Sequence, residues 1–287
     1  MYSKILVPLD GSSFSEQILP YARWVADAYA IPVELLRITD PDVRPPFWPP
    51  ETSDQYLKKI AAEFFPSGAA RIAEVGPPAE VITDRAKSDR SCLIAMATHG
   101  MSGLRRWLLG SVASKVVQTA ANPLLIIRPT EDAGESQQAK LDRVLVPLDG
   151  SGLAEKTLPH ARALATTNNL EIHLLRVYTL PPDAYVVADG VIAQGPAPYR
   201  EQLKKEAQTY LDGLVAGLRA DGLNRVIATA IEGDPAGEII DLARKTPNDL
   251  IAISTHGRSG IGRWVLGSVA EKVVQYARGP VLLVRAG

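Results

Sequence analysis

The chain has 287 residues, 46% of them hydrophobic, and a formal net charge of −1, enough apolar material for two domains of roughly 140 residues each. The near-neutral balance removes the general electrostatic case for nucleic-acid or membrane-surface binding, and no run of about 18 apolar residues is present to span a bilayer. The single cysteine, Cys92, excludes an intrachain disulfide and fits a reducing compartment. The opening MYSKILVPLDGS carries Asp and Pro within its apolar run, so it reads as a strand rather than a signal peptide, and the cytoplasm is the expected location.

In chain order, the apolar run at 5–7 ending in Pro8 predicts a short buried strand. Ile18, Tyr21, Ala22, Val25 and Ala28 fall at helical spacing and predict a helix over 15–30. A strand at 32–38, a helix at 53–65, a strand at 69–75, a helix at 78–88, a strand at 92–97, a helix at 110–121 and a strand at 123–128 follow. The strands are short and apolar on both faces, as parallel strands covered by helices must be. The reading is an α/β fold, a five-stranded doubly wound domain.

The same pattern then repeats. KILVPLDGS at 4–12 recurs as RVLVPLDGS at 143–151, and residues 97–128 align without a gap on 254–285 with 20 of 32 positions identical. The offset between copies is 139 at Asp10 and Asp149 but 157 at His99 and His256, so the second copy carries 18 more residues. Those residues are assigned to a looser loop at 180–198 and a longer helix at 199–219. The polar stretch PTEDAGESQQAK, without apolar period, reads as a linker. The expected organisation is a first domain at 1–129, a linker at 130–140 and a second domain at 141–287.

Two motifs fall at strand C-termini, where open doubly wound sheets bind ligands. One is Pro-Leu-Asp-Gly-Ser, containing Pro8 and Asp10, or Pro147 and Asp149. The other is Thr-His-Gly, containing His99 and Gly100, or His256 and Gly257. If the first and fourth strands are neighbours, the two motifs face one crevice. The stretch from Gly100 through Gly103 to Gly110-Ser111, repeated as Gly257, Gly260 and Gly267-Ser268, reads as a phosphate site. Glycines allow close backbone approach and φ > 0, and the helix that follows offers free N–H groups and the positive end of its dipole, with Ser111 placed to cap it. A tight loop with ordinary glycine turns is the competing reading. Asp10 and Asp149 read either as turn or cap residues or as carboxylates for a ribose or base. His99 and His256 read as hydrogen-bonding loop residues, since no nucleophile with an orienting acid and no metal-ligand spacing recurs beside them. Trp107, Trp264, His160 and His173 read as surface or packing residues.

With these motifs in hand, the chain resembles the universal stress protein family in its tandem two-domain form, over nearly its whole length. The nucleotide-binding branch carries Gly-x2-Gly-x9-Gly-Ser/Thr; here Gly100 and Gly110-Ser111, and Gly257 and Gly267-Ser268, match, while Ala97 and Ser254 occupy the first position. The resemblance implies that Asp10 and Asp149 contact the ribose or adenine and that Ile38 and Val177 offer backbone groups to the adenine. It further implies phosphate binding by Gly100, Gly110, Ser111 and Val112, and by Gly257, Gly267, Ser268 and Val269, with Pro8 and Pro147 shaping the first turn. Family members commonly dimerise through the last strand, so PLLIIR (123–128) and PVLLVR (280–285) are expected to pair within this chain; a homo-oligomer stays open. The expected ligand is ATP or another adenine nucleotide, with or without Mg²⁺, one per half, and the expected role is nucleotide-dependent sensing without catalysis. A slow Mg²⁺-dependent ATP hydrolase or phosphotransferase and a scaffold with vestigial sites are the rivals. The loops after the second strand of each half carry Phe47 and Trp48, and Tyr185, Val186 and Val187, and read as a lid or partner contact.

Overall fold

A computed structural model describes residues 1–42, 52–100, 109–131, 138–180, 186–188, 191–193, 197–246, 248–257 and 266–285. The first half runs β1 (Lys4–Leu9), α1 (Ser13–Glu16), α2 (Leu19–Tyr29), β2 (Val33–Thr39), α3 (Ser53–Phe64), β3 (Ala70–Val75), α4 (Pro78–Lys87), β4 (Cys92–Ala97), α5 (Ser111–Thr119) and β5 (Leu124–Ile127). The second runs β6 (Arg143–Pro147), α6 (Gly152–Glu155), α7 (Leu158–Asn168), β7 (Glu171–Tyr178), β8 (Val186–Ala188), β9 (Val191–Ala193), α8 (Ala197–Ala220), β10 (Val226–Glu232), α9 (Pro235–Lys245), β11 (Asp249–Ser254), α10 (Ser268–Tyr276) and β12 (Val281–Val284).

Within each half the five main strands are parallel, in the order β3-β2-β1-β4-β5 and its copy β10-β7-β6-β11-β12. Strand order therefore reverses between β1 and β4, and between β6 and β11. Every residue of β4 and β11 is buried, because alternate side chains enter two different cores. Leu93, Ala95 and Ala97 pack with α2, α3, α7 and α8; Cys92, Ile94 and Met96 pack with α4, α5, α9 and α10.

The two halves meet edge to edge. β5 and β12 pair antiparallel, Leu125 opposite Leu282, making one ten-stranded sheet. The expected pairing of the two last-strand segments is present, and each apolar core runs through the seam. Two arginines just beyond those strands cross it reciprocally. Arg128 Nη1 donates to the Gln275 carbonyl in the last turn of α10 at 3.3 Å, and Arg285 Nη2 donates to the Val117 carbonyl near the end of α5. The Tyr2 hydroxyl meets His160 Nδ1 at 2.8 Å, also from half to half.

Two sequence expectations need correction. The helix expected over 15–30 is broken into α1 and α2, and its copy into α6 and α7. Pro20 and Pro159 stand in the first turn of the second piece, where a missing N–H costs nothing, but a ring there would clash with a continuous helix. The expected loop at 180–198 contains the short antiparallel pair β8–β9, and α8 begins inside it at Ala197. Phe47, Trp48 and Tyr185 lie outside the described residues. No helix among the described residues is long and apolar enough to cross a membrane.

His173 is a packing residue, 5% exposed, with Nε2 2.8 Å from Thr229 Oγ1. Burial, reinforced by the Arg143 charge and opposed by Asp249, pushes its pKa down to about 4. The unfolded chain binds this proton near pH 6.5 and the folded chain does not until about 4. Stability contributed by neutral His173 is therefore present above about pH 6.5 and is lost as pH falls toward 4, at a slope of at most about 1.4 kcal/mol per pH unit. Urea unfolding across this window should show a shallower pH dependence for His173→Leu than for the wild type; equal slopes would rule this linkage out.

Candidate functional site

The site in each half begins where the first strand ends. Asp10 Oδ1 accepts hydrogen bonds from Ser12 N (3.0 Å) and Ser12 Oγ (2.6 Å), closing an Asx turn around Gly11, whose φ is +84°. Ser12 Oγ in turn accepts from Ser15 N at 3.1 Å and caps α1. The second copy matches it. Asp149 Oδ1 accepts from Ser151 N (2.9 Å) and Oγ (2.6 Å), Gly150 has φ +84°, and Ser151 Oγ accepts from Ala154 N at 3.2 Å. The turn reading of the aspartates is thus realised through one carboxylate oxygen, while the helix cap is the serine.

The other oxygen faces the second motif. A Cβ on Gly100 would overlap Asp10 Oδ2 and stand 2.7 Å from its Cγ; a Cβ on Gly257 would overlap Asp149 Oδ2. The fold thereby brings Asp10 to Gly100, and Asp149 to Gly257, across the point where strand order reverses. Neither Gly100 nor Gly257 has a positive φ, which corrects the expectation of left-handed backbone there: close approach, not torsion, demands glycine.

From the fourth strand, Thr98 N donates to the Ile127 carbonyl at 2.8 Å, and Thr98 O accepts from Gly110 N at 2.9 Å. The chain leaves the strand end and returns to it twelve residues later. A Cβ on Gly110 would lie 2.9 Å from Thr98 O, and one on Gly267 3.2 Å from Thr255 O. At Gly110 the backbone itself demands glycine, and at Gly267 a side chain would need the Thr255 carbonyl to give by a few tenths of an ångström. Ser111 does not cap α5: Gly110 is the N-cap, no side chain caps the helix, and Ser111 is its exposed first residue. Gly267 and Ser268 of α10 are arranged likewise. Both helices thus present a first turn without a side-chain acceptor, an end that favours negative charge.

His99 Nδ1 lies 3.0 Å from Thr98 Oγ1, and His256 Nδ1 lies 3.1 Å from Thr255 Oγ1, a loop hydrogen bond in each copy. Nε2 of His256 is buried with no partner among the described residues. Ala97 and Ser254 end β4 and β11 as buried residues. Ile38 and Val112 pack on the same apolar cluster, as do Val177 and Val269, so both belong to one face of the sheet. Pro8 and Pro147 pair with Leu36 and Leu175 on the neighbouring strand. Gly103, Gly260, Trp107 and Trp264 lie outside the described residues.

Sequence reasoning missed one constellation. The Arg37 guanidinium lies over the Tyr56 ring, 4.8 Å from its centroid, and against Gly11; the Tyr56 hydroxyl donates to Glu16 at 2.8 Å. Arg176, Tyr210, Gly150 and Glu155 repeat it, at 4.7 Å and 2.7 Å. Burial first, then the neighbouring Glu16, pushes the Tyr56 phenol well above its usual range, with Asp10 adding to the rise and Arg37 opposing it. The available signal was Leu-Leu-Arg at 35–37 and 174–176.

The universal stress protein family model matches residues 1–128 and again 140–285. The chain belongs to the universal stress protein family. A universal stress protein of Methanocaldococcus jannaschii is 32% identical over 143 residues, half of this chain and 81% of that one. One from Mycobacterium tuberculosis is 27% identical over 98% of this chain and 96% of its own length. The crystal structure of a universal stress protein from Archaeoglobus fulgidus superposes at a TM-score of 0.68 with 21% identity, covering all of both chains, and supports the tandem fold of this universal stress protein.

Proposed function

We propose that this tandem universal stress protein binds one adenine nucleotide, ATP or a close relative, in each half, and acts in stress response through the occupancy of the two sites rather than by turnover. The observation that carries the reading is the doubled meeting of an aspartate oxygen with a glycine at the strand-order reversal, beside a helix whose first turn has no side-chain cap. The fit to the ligand is chemical. Asp10 and Asp149 are acceptors suited to ribose hydroxyls, the N-terminal turns of α5 and α10 suit phosphates, and the orphaned Nε2 of His256 is a polar group that a ligand could satisfy.

Ala97 and Ser254 would border the nucleotide at the strand ends, and Ile38 and Val177 would meet the adenine. Mg²⁺, where it accompanies ATP, would be held mainly by the phosphates, since no group of three or more His, Cys, Asp or Glu side chains converges among the described residues.

Native mass spectrometry of the purified chain with ATP, ADP, AMP and cyclic AMP should show two bound adenine nucleotides per chain. Incubation with ATP and Mg²⁺ should release no ADP beyond the background rate. One or no bound nucleotide would overturn the two-site reading, and steady turnover abolished by Asp10→Ala with Asp149→Ala would favour the enzyme.

A further inference from the structure

We propose that Arg37 and Arg176 are positioning residues that hold Asp10 and Asp149 in register with the ribose, making each site selective for ribonucleotides; this rests on the nucleotide reading above. The geometry is a closed ring of contacts. Asp10 Oδ1 is tied to Ser12, Ser12 caps α1, and α1 carries Glu16. Glu16 accepts from the Tyr56 hydroxyl, the Tyr56 ring carries the Arg37 guanidinium, and the guanidinium lies on Gly11, the residue after Asp10. A Cβ on Gly11 would stand 2.8 Å from Arg37 Cζ, so only glycine lets the cation reach the turn.

The ring is built twice from different lengths of chain. Arg37 and Glu16 recur at Arg176 and Glu155 with the offset of the first strand, but Tyr56 recurs at Tyr210 beyond part of the insertion, on a helix of 24 residues instead of 12. Two helices of unequal length nonetheless deliver a tyrosine to the same spot, over the same arginine. Tyr56 belongs to the apolar core and Tyr210 packs against it, so each arginine is held over a ring that the core itself keeps in place. What the ring fixes is the turn, and through it which way the second oxygen of each aspartate points: toward Gly100 or Gly257. A carboxylate so fixed can accept from a ribose 2′-hydroxyl without first being ordered, and that pre-organisation is lost if the cation and its stacking partner are removed.

The test uses the full chain carrying Arg37→Met and Arg176→Met together, which keep the side-chain stems, and calorimetric titration with ATP and with 2′-deoxy-ATP. The wild type should prefer ATP. The variant should lose about tenfold in ATP affinity, less than the whole of one charge-assisted hydrogen bond because the carboxylate stays present but is no longer held, while 2′-deoxy-ATP affinity changes less than twofold. Lysine at both positions, charged but not planar, should restore little of the preference. Should the methionine variant fold poorly, Tyr56→Phe with Tyr210→Phe removes only the link to the glutamates and should give a smaller loss of the same selectivity. Equal losses for both nucleotides, an unchanged preference, or a wild type indifferent to the 2′-hydroxyl would overturn the positioning role with the nucleotide sites intact. A wild type that binds neither nucleotide would overturn the nucleotide reading itself.

Discussion

Gly100→Ala combined with Gly257→Ala should weaken ATP binding by roughly 30-fold or more at each site while costing little global stability. Each new Cβ would occupy the space of an aspartate oxygen, so the Asp10 and Asp149 carboxylates must rotate away or break their bonds to Ser12 and Ser151. The lost contact is a hydrogen bond to a charged acceptor, worth about 2 kcal/mol or more. The fold is spared because the obstacle is the end of a side chain and because neither glycine sits at positive φ. Substitution at Gly110 would instead meet the Thr98 carbonyl, part of the backbone, and would damage the fold and the site together, so Gly100 and Gly257 are the sharper positions. Calorimetric titration should show that adding Asp10→Ala and Asp149→Ala to the alanine pair costs little further affinity, since both changes remove the same contact. Wild-type binding by the alanine pair, or fully additive losses, would contradict the site geometry.

The largest stability effect is expected at the seam. Leu282 is 1% exposed and Leu125 3% exposed, and they face each other across β12 and β5. Leu282→Ala should cost about 2–5 kcal/mol, as large-to-small changes in packed cores do. Leu282→Asp should cost more, because it forfeits the same burial and leaves a carboxylate among apolar side chains without a partner. Such a loss approaches the whole stability of an ordinary domain, about 5–15 kcal/mol. Urea unfolding at pH 7 should place the midpoint of the alanine variant well below that of the wild type and leave the aspartate variant without a cooperative transition of the full chain. An aspartate variant as stable as the alanine one would mean that the seam is wet.

Much of this protein was legible in its sequence because the information is local or is stated twice. Short apolar runs, at 5–7, 92–97 and 124–127 among others, marked the central strands, and repetition of the Asp-Gly-Ser and Thr-His-Gly turns marked where chemistry gathers. Burial of β4 on both faces follows from its six consecutive apolar residues. The separation of α1 from α2 was signalled only by Pro20, against an apolar period that runs on across it. Three-residue strands such as β8 and β9 carry too little period to be told from a loop.

The reasons behind the site residues belonged to tertiary structure alone. Gly100 is a glycine because Asp10, ninety positions earlier, packs where its Cβ would be, and Gly110 because Thr98 O closes on it. Tyr56 and Tyr210 occupy equivalent places although the insertion destroys their sequence register. Periodicity and propensity act within a turn or two of chain, whereas these contacts are set by which strands become neighbours in the sheet. That order is decided by how both apolar faces of the sheet are covered at once.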